Sequence, residues 1–307
     1  MRLRRVRGTA ALETQYLDGD AWRPLPGVPP WGPSPFTAEW ELATADRHEH
    51  RSGHSGALLP FSPLSFRDFL LSEQHNIAAA RGMLRRFYPA SFRATAAFER
   101  LTGRSFPAFR PAKLFYRQPI YYMSNAMTIV PSGTPVAFPG YTRGLDFELE
   151  VAFVLGAPLL NASPAEAEAA VAAFVLLNDF SARDVQRDEM ASGLGPQKSK
   201  HFLSSMSATA VTADEILPRM DSLTGSVRIN GRTVGTVDSA GLRWSVGEVL
   251  AHASRDEQLL AGELFGLGTL AGGSGMETGQ WLSPGDTLRL VLDDIGEVEH
   301  RITAAAP

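Results

Sequence analysis

Two glutamates, Glu148 and Glu150, stand two residues apart in the segment LDFELEVAFVLG (145–156). Its alternation predicts a β-strand with Leu145, Phe147, Leu149 and Val151 on one face and Asp146, Glu148 and Glu150 on the other. Residues two apart on one strand face are ~6.5 Å apart along the chain. On a buried face, two carboxylates at that spacing cannot both stay ionised without a compensating cation. Either the face is open to solvent or a cation sits between them. Asp179 adds a third carboxylate. It follows the apolar run FVLL (174–177), which reads as a buried strand, so it also needs a partner. Arg183 is one choice, in a plain ion pair; a metal shared with the glutamates is the other. The chain has no cysteine, which removes disulfides, thiolate nucleophiles and thiolate zinc sites. Any metal ligands are therefore oxygen or histidine, and an oxygen-rich set favours Mg²⁺, Ca²⁺ or Mn²⁺.

The elements that must position these residues form a strand-dominated mixed α/β pattern. Residues 66–86 have mixed apolar and polar spacing with few breakers, predicting a helix or a series of helical turns. Ser163, Pro164 and Glu166 form a capping-box signature opening a helix through the alanine-rich AEAEAAVAA, and FVLLNDF (174–180) predicts a short strand. SARDVQRDEM (181–190) reads as a helix followed by the loop SGLGPQKSKHF. Asn230–Gly231 predicts a tight hairpin, Ser245 with Glu248 a second capping box, and DTLRLVLDDIGEVEHRIT two strands around a turn.

Residues 1–60 differ from the remainder. They are rich in Pro, Gly and Trp and read as a small β-rich N-terminal unit ahead of a large domain over 61–307. Arg2, Arg4, Arg5 and Arg7 resemble the start of a signal peptide, but acidic residues follow where an apolar stretch would be needed, so they read as a solvated first strand. His48, His50 and His54 lie in a polar stretch expected to be an exposed linker. A net charge of −4 without a basic stripe argues against nucleic acid, and no apolar run approaches the ~20 residues of a membrane helix.

The ordered segments LDFELEVAFVLG, LLNDFSARDVQ and GPQKSKHF resemble the core signature of the fumarylacetoacetate hydrolase family over about residues 60–300. The resemblance implies a β-roll catalytic domain and a divalent ion held by Glu148, Glu150 and Asp179. FRDFLLSEQH resembles a further family segment, implying Asp68 as fourth ligand and His75 as general base. GGSGMETG implies Glu277 as the carboxylate that orients His75, with Glu263 and Glu257 as alternatives. It further implies Arg183, Gln186 and Lys200 as stabilisers of a departing enolate, Tyr122, Gly268 and Thr269 as substrate contacts, and Ser204 near the metal. Leu70 departs from the family pattern, which has a tyrosine there; that removes a polar substrate contact and puts fumarylacetoacetate itself in doubt.

The expected activity is metal-dependent hydrolysis of a C–C bond in a 1,3-dicarbonyl acid, in a cytoplasmic homodimer whose partner is a small keto acid. Decarboxylation, isomerisation, hydration or a natural-product tailoring step on the same metal–enolate chemistry is the alternative reading. A catalytically silent binding homologue is the non-enzymatic one.

Overall fold

The computed structural model describes residues 1–52 and 57–305. The first part of the chain gives β1 (Arg2–Arg7), β2 (Leu12–Asp18), β3 (Ala21–Pro24), α1 (Ala38–Ser52), β4 (Phe66–Phe69), α2 (Glu73–Phe87), α3 (Pro89–Thr102) and β5 (Tyr121–Ser124). The middle gives β6 (Ile129–Pro131), β7 (Val136–Ala137), β8 (Leu145–Asp146), β9 (Glu148–Leu155), α4 (Pro164–Ala169), β10 (Val171–Asp179), β11 (Ser181–Ala182) and α5 (Arg183–Ala191). The last part gives β12 (Ser204–Met206), β13 (Thr209–Thr212), α6 (Ala213–Ile216), β14 (Thr224–Ile229), β15 (Arg232–Asp238), α7 (Val246–Ala253), β16 (Leu264–Ser274), α8 (Gly275–Thr278), β17 (Thr287–Leu292) and β18 (Gly296–Thr303).

An 11-stranded mixed sheet runs β3-β2-β1-β13-β10-β9-β16-β4-β5, with β12 beside β10 and β6 beside β12. A five-stranded sheet, β15-β14-β17-β18-β7, packs against it. The main core lies between the sheets: Val151, Phe153, Phe174 and Phe265 from the large one meet Val227, Leu290 and Val298 from the small one. Phe153 stacks on Phe265 with centroids 5.3 Å apart. Burial of each such aromatic side chain contributes roughly 2–3 kcal/mol. The opposite face of the same strands carries Phe66, Ala152, Val154, Val175, Leu177 and Leu264 in a second cluster. Both faces of β9, β10 and β16 are thus buried, which explains their nearly continuous apolar composition.

Several expectations meet the structure directly. Ser163 with Glu166 and Ser245 with Glu248 form reciprocal capping boxes, and Asn230 and Gly231 turn the β14–β15 hairpin at φ 52° and 78°. Others need correcting. Residues 66–86 are not one helix: Phe66–Phe69 is a strand, parallel to β16, and the helix begins only after Ser72, whose Oγ accepts from the His75 amide. Phe66, Arg67, Asp68 and Phe69 are all buried, so no inside-outside alternation marked the strand. The helix from Pro164 ends at Ala169, and the following strand starts at Val171, three residues earlier than predicted.

The N-terminal stretch holds β1–β3 and also α1, which occupies much of the expected polar linker. Thr37 opens α1 by accepting from the Trp40 amide, and Glu41 on its first turn pairs with Arg5 at 2.6 Å. β1 pairs with β13, so these strands continue the large sheet. His54 and the side chain of His50 lie outside the described residues.

Candidate metal and active site

The acidic residues extend the second apolar cluster toward one end of the sheet. Strand alternation carries Phe66 to Asp68, Ala152 to Glu150 and Leu177 to Asp179. Register then aligns them: Leu177 faces Glu150, and Gly266 faces both Ala152 and Asp68. Asp68, Glu150 and Asp179 each offer an oxygen, and all three oxygens lie within 4.8 Å of one another. A Cβ at Gly266 would come 2.7 Å from Asp68 Oδ1 and 3.0 Å from Glu150 Oε2, so only glycine leaves that space open.

Asp68 Oδ1 and Glu150 Oε2 are buried without a hydrogen-bond partner. Burial and the neighbouring Asp179 raise the Asp68 carboxyl to about 8, and burial with Asp68 lifts Glu150 well above the carboxylate range. Three converging carboxylates, two of which keep an oxygen without a donor, fit a hard divalent cation.

Glu148 is not brought into this trio. Its Oε1 accepts from Arg183 Nη2 at 2.6 Å and its Oε2 from the Lys200 ammonium, which also donates to Asp179 Oδ2 at 2.7 Å. Against the burial that pushes it up, Arg183 and Lys200 hold Glu148 well below the usual carboxylate range. Lys200 is thus no surface lysine: it is 3% exposed and bridges two of the acids. Arg183 Nη1 donates to Gln186 Oε1 at 2.9 Å, one helical turn on, as the three-residue spacing predicts.

His75 sits in the first turn of α2, buried, with Nδ1 3.1 Å from Glu277 Oε2 and Nε2 4.0 Å from Glu148 Oε1. The approach to Glu277 lies off the line of a well-formed hydrogen bond. Glu277 is fixed by the amides of Gly272 and Ser274 and by the Ser274 hydroxyl. The alternatives Glu257 and Glu263 are both engaged by Arg67. α2 reaches α8 closely because residue 82 is glycine: a Cβ there would lie 1.9 Å from the Met276 carbonyl oxygen.

The remaining predicted residues also converge. Tyr122, opposite Asp68 on β5, donates its hydroxyl to Asp179 Oδ2 at 2.6 Å, and Ser204 donates to Asp179 Oδ1 at 3.0 Å. Thr269 Oγ1 is 3.4 Å from Glu150 Oε1. Gly268, at φ 80°, allows β16 to pass the Phe69 carbonyl. Tyr122, Gly268 and Thr269 border a cavity of about 740 Å³ together with His75, Gln186 and Lys200.

Sequence reasoning missed Asp146. It is fully buried, accepts from Arg183 Nε at 2.7 Å, and takes the amides of Gly275 and Met276 at 2.7 and 3.0 Å. It therefore ties the arginine to the turn that carries Glu277. Asn178, whose side-chain oxygen accepts from the Glu148 amide, was missed as well. The only signal for Asp146 was its place on the acidic face of the strand predicted over 145–156, which the structure divides into β8 and β9.

Residues 94–303 match the family model described as fumarylacetoacetate (FAA) hydrolase C-terminal, and the chain belongs to this family. Asp68 and His75 fall outside the matched residues. The chain is 30% identical over 155 residues to the oxaloacetate tautomerase FAHD1, mitochondrial, of Bos taurus, covering 50% of this chain and 70% of that protein. Among solved structures it resembles a 5-carboxymethyl-2-hydroxymuconate delta-isomerase from Mycobacterium smegmatis, with TM-score 0.67, 17% identity, and 99% and 100% of the two chains covered. It also resembles a fumarylpyruvate hydrolase from Pseudomonas aeruginosa in complex with Mn²⁺ and pyruvate, with TM-score 0.57, 18% identity, and 81% and 99% covered. The chain is accordingly an enzyme of a family that includes hydrolases, isomerases and tautomerases. No helix among the described residues is long and apolar enough to cross a membrane.

Proposed function

We propose that the chain is a divalent-metal-dependent hydrolase cleaving the C–C bond of a 1,3-dicarbonyl acid. The observation that carries this reading is the buried trio Asp68, Glu150 and Asp179, with an oxygen of Asp68 and one of Glu150 left without a donor, beside a histidine–glutamate pair. A cation held by the trio, Mg²⁺, Mn²⁺ or Ca²⁺, supplies Lewis-acid polarisation and a template for two neighbouring oxygens. The relative crystallised with Mn²⁺ and pyruvate supports that choice of ion class.

The protein's own groups then act as follows. His75, oriented by Glu277, removes a proton from the attacking water. The new C–O bond forms at the acyl carbon, the C–C bond breaks, and its electron pair moves onto the oxygen of the departing enolate. Lys200 and Arg183 present positive charge to that oxygen, and Gln186 holds the Arg183 guanidinium in place. Protonation of the enolate carbon, by the proton His75 took, completes the cleavage to a carboxylate and a 2-oxo acid. Tyr122 and the Gly268–Thr269 segment contact the substrate. Glu148 lies outside the trio, with its two oxygens engaged by Arg183 and Lys200.

A tautomerase reading is supported by the relatives named oxaloacetate tautomerase. The same base would then shuttle the proton without consuming water. NMR of an acylpyruvate incubated with the Mn²⁺-loaded enzyme separates the two: pyruvate and a free fatty acid appear on hydrolysis, whereas keto–enol exchange alone supports the tautomerase. Asp68→Asn is expected to abolish Mn²⁺ binding, and retained binding overturns the ligand assignment. A cytoplasmic homodimer belongs to the same reading, its oligomeric state measurable by light scattering.

A further inference from the structure

The cavity changes character along its length. On α2, Asn76, Ala79, Ala80 and Met83 are spaced three and four apart and share the face that lines it. On α5, Arg183, Gln186, Arg187 and Met190 do the same from the other side. Both stripes begin polar beside the carboxylates and end apolar. Leu70 and Ile120 add to the apolar wall.

Positive charge is scarce in that outer half. Arg183 and Lys200 are already committed to Glu148. Arg187, the other basic side chain lining the cavity, donates to Asp188 at 2.8 Å and lies 5.1 Å over the Phe87 ring. Meanwhile two large apolar side chains stand open at the mouth: Met190 is 55% exposed and Leu194 81%. Ala80 and Met83 also line an adjoining cavity of about 530 Å³, bordered by Leu84, Phe106 and Phe109. An apolar path therefore leads away from the carboxylates along α2 toward α3.

We infer that the substrate is a 2-oxo acid bearing an apolar acyl tail, not a second carboxylate, with the tail lying over Ala79, Ala80 and Met83. This rests on the proposed metal site as the anchor for the 2-oxo acid and adds what lies beyond it. An alkyl chain would cover Met190 and Leu194, gaining up to about fourfold in affinity per buried methylene. A tail carboxylate would be desolvated against apolar walls, where Arg183, Lys200 and Arg187 already have acidic partners.

The test is titration calorimetry of the full Mn²⁺-loaded chain with pyruvate, 2-oxohexanoate, 2-oxooctanoate and 2-oxoglutarate. The octanoate is expected to bind at least tenfold more tightly than pyruvate, and 2-oxoglutarate no more tightly than pyruvate. Met190→Lys, a change at an exposed helix position, should weaken the octanoate and strengthen 2-oxoglutarate. Equal affinities across the tails, or 2-oxoglutarate binding tightest, overturn the inference. If the tail order holds but no acylpyruvate is cleaved, the hydrolytic reading fails and the tail preference stands. Absence of binding by all four acids overturns both.

Discussion

Two pairs of buried acids, one running from β8 into β9 and the other split between β4 and β9, meet opposite fates. Asp146 and Glu148 are saturated: Arg183 reaches both, Lys200 takes the second, and three backbone amides close on the first. Asp68 and Glu150 each keep an oxygen with no partner. Sequence spacing alone cannot distinguish them, since Glu148 and Glu150 are two residues apart on one strand. What separates them is which neighbouring strand or helix each faces. Glu148 looks toward α5 and its arginine, whereas Glu150 looks toward β4 and another acid. The first pair holds elements together, and the second keeps two buried oxygens without donors.

Breaking the saturated pair should have the largest effect. Arg183→Met leaves Asp146 and Glu148 buried without their shared cation, a change that costs about 3–5 kcal/mol. Denaturant unfolding should show that loss in the metal-free protein as well as the metal-loaded one. The same variant frees the turn carrying Glu277, so residual turnover should fall even where the protein is still folded.

Breaking the unsaturated pair should do the reverse. Glu150→Gln relieves repulsion and should leave the metal-free protein as stable as before or more so. It should also abolish the stabilisation by Mn²⁺, which for the native chain is about 2.7 kcal/mol at a hundredfold excess over Kd. Thermal melts with and without chelator read both halves. The pH dependence follows from Asp68. Its carboxyl is raised from 3.8 to about 8 in the fold, so the protonated form is favoured there and its contribution is lost as pH rises through about 8. Glu148 is shifted downward, so its contribution is lost only as pH falls below the ordinary glutamate range. Between pH 5 and 8 the metal-free melting temperature should therefore decline, and Mn²⁺, which binds the deprotonated form, should oppose the decline. A melt that rises over this window without metal would place Asp68 among the paired acids.

Gly82→Ala probes the geometry between the two regions. The added methyl meets the Met276 carbonyl, and overpacking of this kind costs about 1–3 kcal/mol. If α2 shifts to relieve the clash, His75 moves from Glu277. The expected signature is a fall in kcat with Mn²⁺ affinity retained.

The contrast explains what was legible in the sequence. The period-two pattern of residues 145–151 displayed the acidic face of β9 openly, and the run before Asp179 marked a buried strand. The capping serines read correctly because a cap is a local bond between residues three apart. Asp68 was placed by family resemblance while its strand was predicted as helix, because burial on both faces erased the alternation. α1 escaped although Thr37 gives it a local cap, because the stretch before it is rich in Pro, Gly and Trp and its Glu41 pairs with Arg5, a contact 36 residues away in the chain. Asp146 escaped for the same reason: its amide partners lie 129 and 130 residues further on.

Asp179 belongs to both regions, and Ser204 tests how evenly. Its Oδ2 is held by Tyr122 and Lys200 on the paired side, while Oδ1 accepts from the Ser204 hydroxyl. Ser204→Ala removes that donor without adding bulk, and should destabilise the metal-free chain by about 1 kcal/mol. If Oδ1 is the oxygen offered to the cation, Mn²⁺ replaces the lost donor and the two proteins converge in stability at saturating metal. If the difference persists with metal bound, Oδ1 is structural and Asp179 is held wholly by the paired network. Melting both proteins in chelator and in excess Mn²⁺ therefore assigns the two oxygens separately.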